Sequence, residues 1–283
     1  MKPAFFLLLF LGINPVFARN YFVNSLSGND SNAGTDRNSP WKSLAKVNAA
    51  SFQPGDTVFF ERGSSWAASL QIKNSGAPDN PLVFCTIGKG EKPVISFAGN
   101  RTKAIDITGS WVVLDGFFTK DANLSGVFIA KGAEHNVVRN CEIANCGGGV
   151  TIYGRHNLIT HNFAHDLVMV KNTKAESRAA PGGDDDYGAV AYWVFNACNE
   201  IAYNRAERCR APSYDYGYDG GFFEVYSNGD STYVHHNYAE DCNGFLEIGG
   251  GMARNITVSH NVSVENGEWT FHLSGKFKAD IRN

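Results

Sequence analysis

Two glutamates, Glu224 in FFEVY (222–226) and Glu247 in FLEIG (245–249), each stand alone in an apolar run of strand character. Alternation along a strand turns Phe223, Val225, Leu246 and Ile248 inward and both glutamates outward. If the two strands are neighbours, the carboxylates share one outer face. At ~5 Å they repel by less than ~1 kcal/mol in open water and by ~3 kcal/mol at an effective dielectric of 20. A proton, a bound cation or a nearby Lys or Arg would offset that repulsion. Such a pair suits acid, base or nucleophile work on a glycosidic bond, or the holding of a hard cation such as calcium.

The outward column is expected to continue to His272 in TFHLS (270–274). It is expected to run back through Ala191 or Tyr192 in GAVAYWVF (188–195) to Thr151. Two insertions, KNTKAESRAAPGGDDDYG (171–188) and APSYDYGYDGG (211–221), lead into these strands. They carry Asp184, Asp185, Asp186, Asp215 and Asp219 together with Tyr187, Tyr214, Tyr216 and Tyr218. An aspartate run alone reads as a solvated loop, and its weight here comes from converging on the two glutamates. The metal-ligand candidates are Asp186, Asp219, Glu224 and Glu247, with calcium as the ion. Proton-transfer candidates are Tyr218, His272, Lys171 and Arg178, which with Asp219, Glu224 and Glu247 complete the catalytic set. Tyr187, Tyr192, Trp193, Asp215, Tyr216 and Tyr226 are the substrate-binding candidates, since aromatic faces suit sugar rings and carboxylates suit their hydroxyls.

The rest of the chain must position these groups. It has 283 residues, 43% hydrophobic, 30 glycines and only 19% charged residues. That profile suits many short strands and tight turns. The net charge of -3 offers no basic field for nucleic acid. Residues 1–18, MKPAFFLLLFLGINPVFA, read as a cleavable signal peptide with cleavage after Ala18. A secreted or periplasmic monomer with no membrane span is therefore expected, folded as a single domain over 19–283.

Residues 39–49, SPWKSLAKVNA, predict a short helix capped by Ser39, with Trp41, Leu44 and Val47 on one face. Beyond it the strand runs PLVFCTI, KPVISF, AIDIT and WVVLDGF recur between Gly, Asn and Asp turns. From residue 135 the chain repeats itself. HNVVRNCEIANCGGGVTIYG (135–154) aligns without gaps on STYVHHNYAEDCNGFLEIGG (231–250), and further copies begin near 156, 199 and 254. A unit of about 22–24 residues with no helical segment is one turn of a parallel β-solenoid. Stacked coils would place Cys146, Cys209 and Cys242 in one interior ladder, with disulfides as the alternative. Asn162, Asn204, Asn237 and Asn261 would form a turn ladder in left-handed backbone, bonding to a neighbouring coil's amide. Tyr203, His236 and His260, one residue earlier, would stack on one another. The final KADIRN shows no closing cap, so further coils could complete the solenoid.

These features resemble the secreted right-handed parallel β-helix proteins of the pectate-lyase-like superfamily, SPWKSLAKVN and PGDTVFFERG resembling their amino-terminal capping segment. The resemblance implies an all-β right-handed parallel β-helix with a short N-terminal capping helix. It implies an acidic, uronate-containing polysaccharide as the partner and β-elimination as the leading activity. YGYD (216–219) resembles the start of the mannuronan epimerase motif, but Gly220 and Gly221 follow where that family has Pro-His. The marker motifs of polygalacturonases and the arginine signature of pectate lyases are missing. A glycosidase using Glu224 and Glu247, and a non-catalytic glycan-binding or adhesin module, are the alternatives.

Overall fold

The computed structural model describes residues 18–174, 186–250, 252–274 and 276–282. Among them the chain forms three long parallel sheets, of ten, eight and eight strands, and one short helix. Each complete coil contributes one strand to each sheet, and the first and last strands of the ten-stranded sheet stand without such companions. Val137–Arg139, Glu142–Ala144 and Gly148–Ile152 make one coil, and each pairs in parallel with its counterpart in the next. The result is the all-β parallel β-helix expected. Its interior is largely apolar: Val127, Val150, Phe223, Leu246 and Ile248 are all fully or almost fully buried.

The helix Leu44–Ala49 starts later than expected. Its N-cap is Ser43, whose Oγ accepts from Lys46 N at 3.1 Å, and not Ser39. The residues before it are drawn into the first coil: Trp41 N donates to Phe22 O, and Trp41 bridges to Val23. That extended pairing overrides local helix propensity. Leu44 and Val47 are buried, and Asn48 bonds the edge of the first strand of the site-bearing sheet, accepting from Gln71 N and donating to Ser69 O. A covered edge cannot recruit another strand.

The turns are built from side-chain ladders. Asn204 Oδ1 accepts from both the amide and the Nδ2 of Asn162, and Asn237 and Asn261 continue the pattern. The left-handed backbone falls one residue earlier than expected, on His161, Tyr203, His236 and His260, with φ of 54–58°. Those residues carry the outward stack, with ring centroids 4.9–5.2 Å apart. A second ladder, Asn136–Asn157–Asn199, occupies another corner. Cys146, Cys209 and Cys242 are buried with free thiols, as an interior ladder. Burial pushes the Cys146 thiol up to about 12, which suits packing and not nucleophilic chemistry.

Candidate functional site

The site lies on the outer face of the eight-stranded sheet that contains Gly221–Val225 and Gly244–Ile248. In its register Thr151, Trp193, Glu224, Glu247 and His272 succeed one another on adjacent strands. Parallel neighbours put the Cα atoms of Glu224 and Glu247 ~4.8 Å apart. The flanking residues Phe223, Val225, Leu246 and Ile248 point inward and are buried, which forces both carboxylates outward.

The column continues through Trp193, and neither Ala191 nor Tyr192 belongs to it. Tyr192 is a correction to the substrate-binding set. It is the register partner of Phe223, is fully buried, and donates its hydroxyl toward the carbonyls of Asn162 and Arg205 at 3.3 Å. One residue of alternation separates the two faces, so Trp193 takes the outer place.

The two insertions enter at the same corner, between the second and third strand of successive coils. Met169–Lys171 pairs with Tyr187–Gly188, and Ala211–Ser213 pairs with Gly217–Asp219. Asp186 joins them. Its carboxylate accepts from Thr173 N on one side and from Ser213 Oγ, Tyr214 N and Asp215 N on the other. Asp215 returns a bond by accepting from Asp186 N. These contacts make Asp186 a staple between the loops. Asp184, Asp185 and Arg178 lie outside the described residues.

Loops and sheet enclose a cleft of about 950 Å³. Glu224, Glu247, Asp219, Tyr218 and His272 all line it, and so do Tyr187, Trp193, Tyr216 and Tyr226. Lys171 and Asp215 are not among its lining residues. Among the described residues no three His, Cys, Asp or Glu side chains converge as a metal cage. Asp186 is committed to the loops, which leaves Asp219, Glu224 and Glu247 of the four carboxylates expected to hold calcium.

His272 Nδ1 lies 3.1 Å from Glu247 Oε1. Burial raises the Glu247 carboxyl above its ordinary range, and the neighbouring imidazole pulls it partly back. Glu247 therefore holds its proton to higher pH than a solvated glutamate does. Trp193 lines the cleft floor, and its indole Nε1 is buried without a hydrogen-bond partner among the described residues.

Tyr226, expected to bind substrate, lines the cleft, but its companions Tyr153 and Phe195 escaped sequence reasoning. The three follow the site column by two residues in three successive coils, Tyr153 and Phe195 stacked at 4.2 Å. Aligning TIY, WVF and EVY would have shown this second column. Arg101, Lys103 and Phe128, at the far end, lie in coils without a recognisable repeat.

A family model described as the Pel9A-like, right-handed beta helix region matches residues 21–273. The chain belongs to this family. A Pel9A-like β-helix of this kind is similar in fold to pectate lyase Pel9A, with a TM-score of 0.61 at 15% identity, covering 95% of this chain and 79% of that one. It is likewise similar to the GH136 lacto-N-biosidase from Eubacterium ramulus, with a TM-score of 0.51 at 15% identity, covering 93% and 68%. In sequence it is 37% identical over 131 residues to a lacto-N-biosidase of Bifidobacterium longum subsp. longum. That match covers 44% of this chain, and the chain spans only 8% of the length of that relative. The structural likenesses establish the fold, which hosts more than one chemistry.

Proposed function

We propose that this Pel9A-like β-helix is a glycoside hydrolase that cleaves a glycan bound in the cleft with retention of configuration. The observation that carries this is the register pairing of Glu224 with Glu247, whose carboxyl burial raises above its ordinary range. Retaining glycosidases hold their two carboxyl groups ~5–5.5 Å apart, matching one strand spacing.

In the first step Glu224 attacks the anomeric carbon while Glu247 gives its proton to the departing glycosidic oxygen. The anomeric carbon–oxygen bond breaks as the bond to Glu224 forms. In the second step the Glu247 carboxylate takes a proton from water, and that water displaces Glu224 from the sugar. His272 stabilises the Glu247 carboxylate between the two steps. Trp193 and the Tyr153–Phe195–Tyr226 column supply flat faces for sugar rings. The curated relative named lacto-N-biosidase supports cleavage of glycosides.

β-Elimination on a uronate chain is the second reading. It draws on the cations Arg101 and Lys103 in the cleft and on Tyr218 and His272 as proton carriers. Against it, five acidic side chains line the cleft (Asp186, Asp219, Glu224, Glu247, Glu268) and only two permanently cationic ones, so acid outnumbers base even with Glu247 protonated. A polyanionic chain meets net repulsion there.

No helix among the described residues is long and apolar enough to cross a membrane. Export directed by residues 1–18 belongs to the same proposal, and residues 1–17 lie outside the described part of the chain.

The test is to incubate the protein with neutral and uronate-containing glycans, with calcium and then with chelator. Reducing ends and absorbance near 235 nm are followed together. New reducing ends without absorbance are expected. A rise in absorbance would assign β-elimination, and loss of that rise on chelation would make it metal-assisted. Binding with neither signal would leave a glycan-binding module.

A further inference from the structure

The charges carried on and beside the sheet are sorted along the solenoid axis. Glu224, Glu247 and Glu268 stand at one end and Arg101 with Lys103 at the other, while Asp186 and Asp219 belong to the loops over the cleft. Lys103 belongs to the strand Lys103–Ile107, which is four strand steps from Gly221–Val225 in the sheet order. The Lys103 strand is thus ~19 Å from the Glu224 strand along the axis, and Arg101 reaches in from the same end to Tyr187.

The cationic end is held in place. Arg101 Nη1 donates to Tyr187 Oη at 3.0 Å, using one of the guanidinium's five donors. Lys103 Nζ sits 3.4 Å from the ring centroid of Phe128 and 3.1 Å from Asp106 Oδ2. Asp106 offsets one of the two positive charges, leaving a net charge of one. Between the two ends runs an aromatic track: Phe128–Tyr153, Tyr153–Phe195 and Phe195–Tyr226 have ring centroids 5.3, 4.2 and 6.0 Å apart.

We propose that Arg101 and Lys103 form a distal subsite for one acidic sugar, so that the substrate is neutral at the scissile bond and anionic at its far end. The glutamates repel a negative charge from the cleavage point, while the cations anchor one at the opposite end. A glycan with a single acidic substituent therefore binds in one register and one direction. Carboxylate and sulfate share the chemistry that Arg101 recognises, a planar or trigonal face of oxygens. This inference rests on the proposed function for the location of the scissile bond.

The test reads binding and not turnover. The Glu247→Gln protein, which leaves its probes uncut, is applied to an array of neutral tetra- to hexasaccharides. The same chains carrying one terminal sialic acid, one uronate or one sulfate are printed beside them. Preference for acidic over neutral chains is expected to be about tenfold or more, the worth of one charge-assisted hydrogen bond, and to weaken with salt. Adding Arg101→Gln and Lys103→Gln should bring the acidic-to-neutral ratio close to one, with the melting curve checked for folding. Lys89→Gln with Lys131→Gln, an equal charge change at residues outside the cleft lining, should leave the ratio intact. Which acidic arm is held tells carboxylate from sulfate. A protein that holds acidic and neutral chains alike, or retains no acidic chain, overturns the distal subsite. So does a double variant that keeps the preference. Each of these results is separate from whether Glu247→Gln ends hydrolysis.

Discussion

His272 Nδ1 lies 3.1 Å from Glu247 Oε1, one coil beyond it in the same outward column. Burial raises the Glu247 carboxyl and His272 is what opposes it. Removing the imidazole by His272→Ala leaves burial unopposed, so Glu247 keeps its proton to higher pH. A general acid must be protonated to act. The alkaline limb of the kcat/KM profile should therefore move to higher pH in the variant. An unmoved limb would separate His272 from the acid.

Glu247→Gln should lower kcat by about 10²–10⁴-fold, the range for losing a positioned general acid. It should also stabilise the protein above mildly acid pH. The folded pKa of Glu247 lies above its unfolded value. Below the unfolded value both states hold the proton and the group contributes nothing. As pH rises past it the unfolded chain ionises first, so the folded state loses stability until the folded pKa is passed. Glutamine never incurs that loss. Melting curves near pH 8 should show the variant more stable than the parent, with a smaller gap near pH 4, about the ordinary glutamate range. A variant less stable at both pH values would mean that Glu247 is a structural anchor.

The glutamate pair was legible in the sequence because two signals agree on it. Period-two alternation sets Glu224 and Glu247 outward, and the matching runs FFEVY and FLEIG put them at equivalent places in successive coils. Tyr192 was misassigned because the insertion ending at Gly188 interrupts the repeat, and one residue of slip exchanges the two faces. Ser39 was misassigned as a cap because Trp41 pairs with Phe22 and Val23, a tertiary contact with no local mark. Arg101 and Lys103 carry no signal of their own. They reach the cleft only because stacking carries distant coils along one face. The Asn162 to Asn261 ladder was readable in position, but its left-handed residue was placed one step late. Asparagine tolerates that backbone well, yet here it is needed inside the turn for its hydrogen bonds.

Asp186 is nine-tenths buried or more and ties both insertions together through four accepted hydrogen bonds. Asp186→Ala should free both loops at once. KM should rise by about tenfold or more while kcat changes less, since the loops position substrate and the glutamates remain. Limited proteolysis should find new cuts within 171–188 or 211–221. Excess calcium should not restore KM. Restoration by calcium would make Asp186 a metal ligand in the working protein.

Asn204 stands in the middle of the turn ladder. Its Oδ1 accepts from Asn162 N and Nδ2, each at 3.0 Å, and its Nδ2 donates to Ile159 O at 2.8 Å and to Asn237 Oδ1 at 3.1 Å. Truncation to alanine leaves the Asn162 amide and the Ile159 carbonyl without these partners in a buried turn. Buried groups left unmatched lose about 1–3 kcal/mol each, so Asn204→Ala should cost about 2–4 kcal/mol by denaturant titration. Asn261→Ala, in the half-exposed turn farther along, should cost less, since water can replace the lost bonds. Asn204→Asp keeps the acceptor, loses the donor to Ile159 O and buries a charge, so it should be no milder than alanine. None of the three touches the cleft, and hydrolysis by the folded fraction should be unchanged. A loss below about 1 kcal/mol for Asn204→Ala would mean that strand stacking alone holds the coils in register.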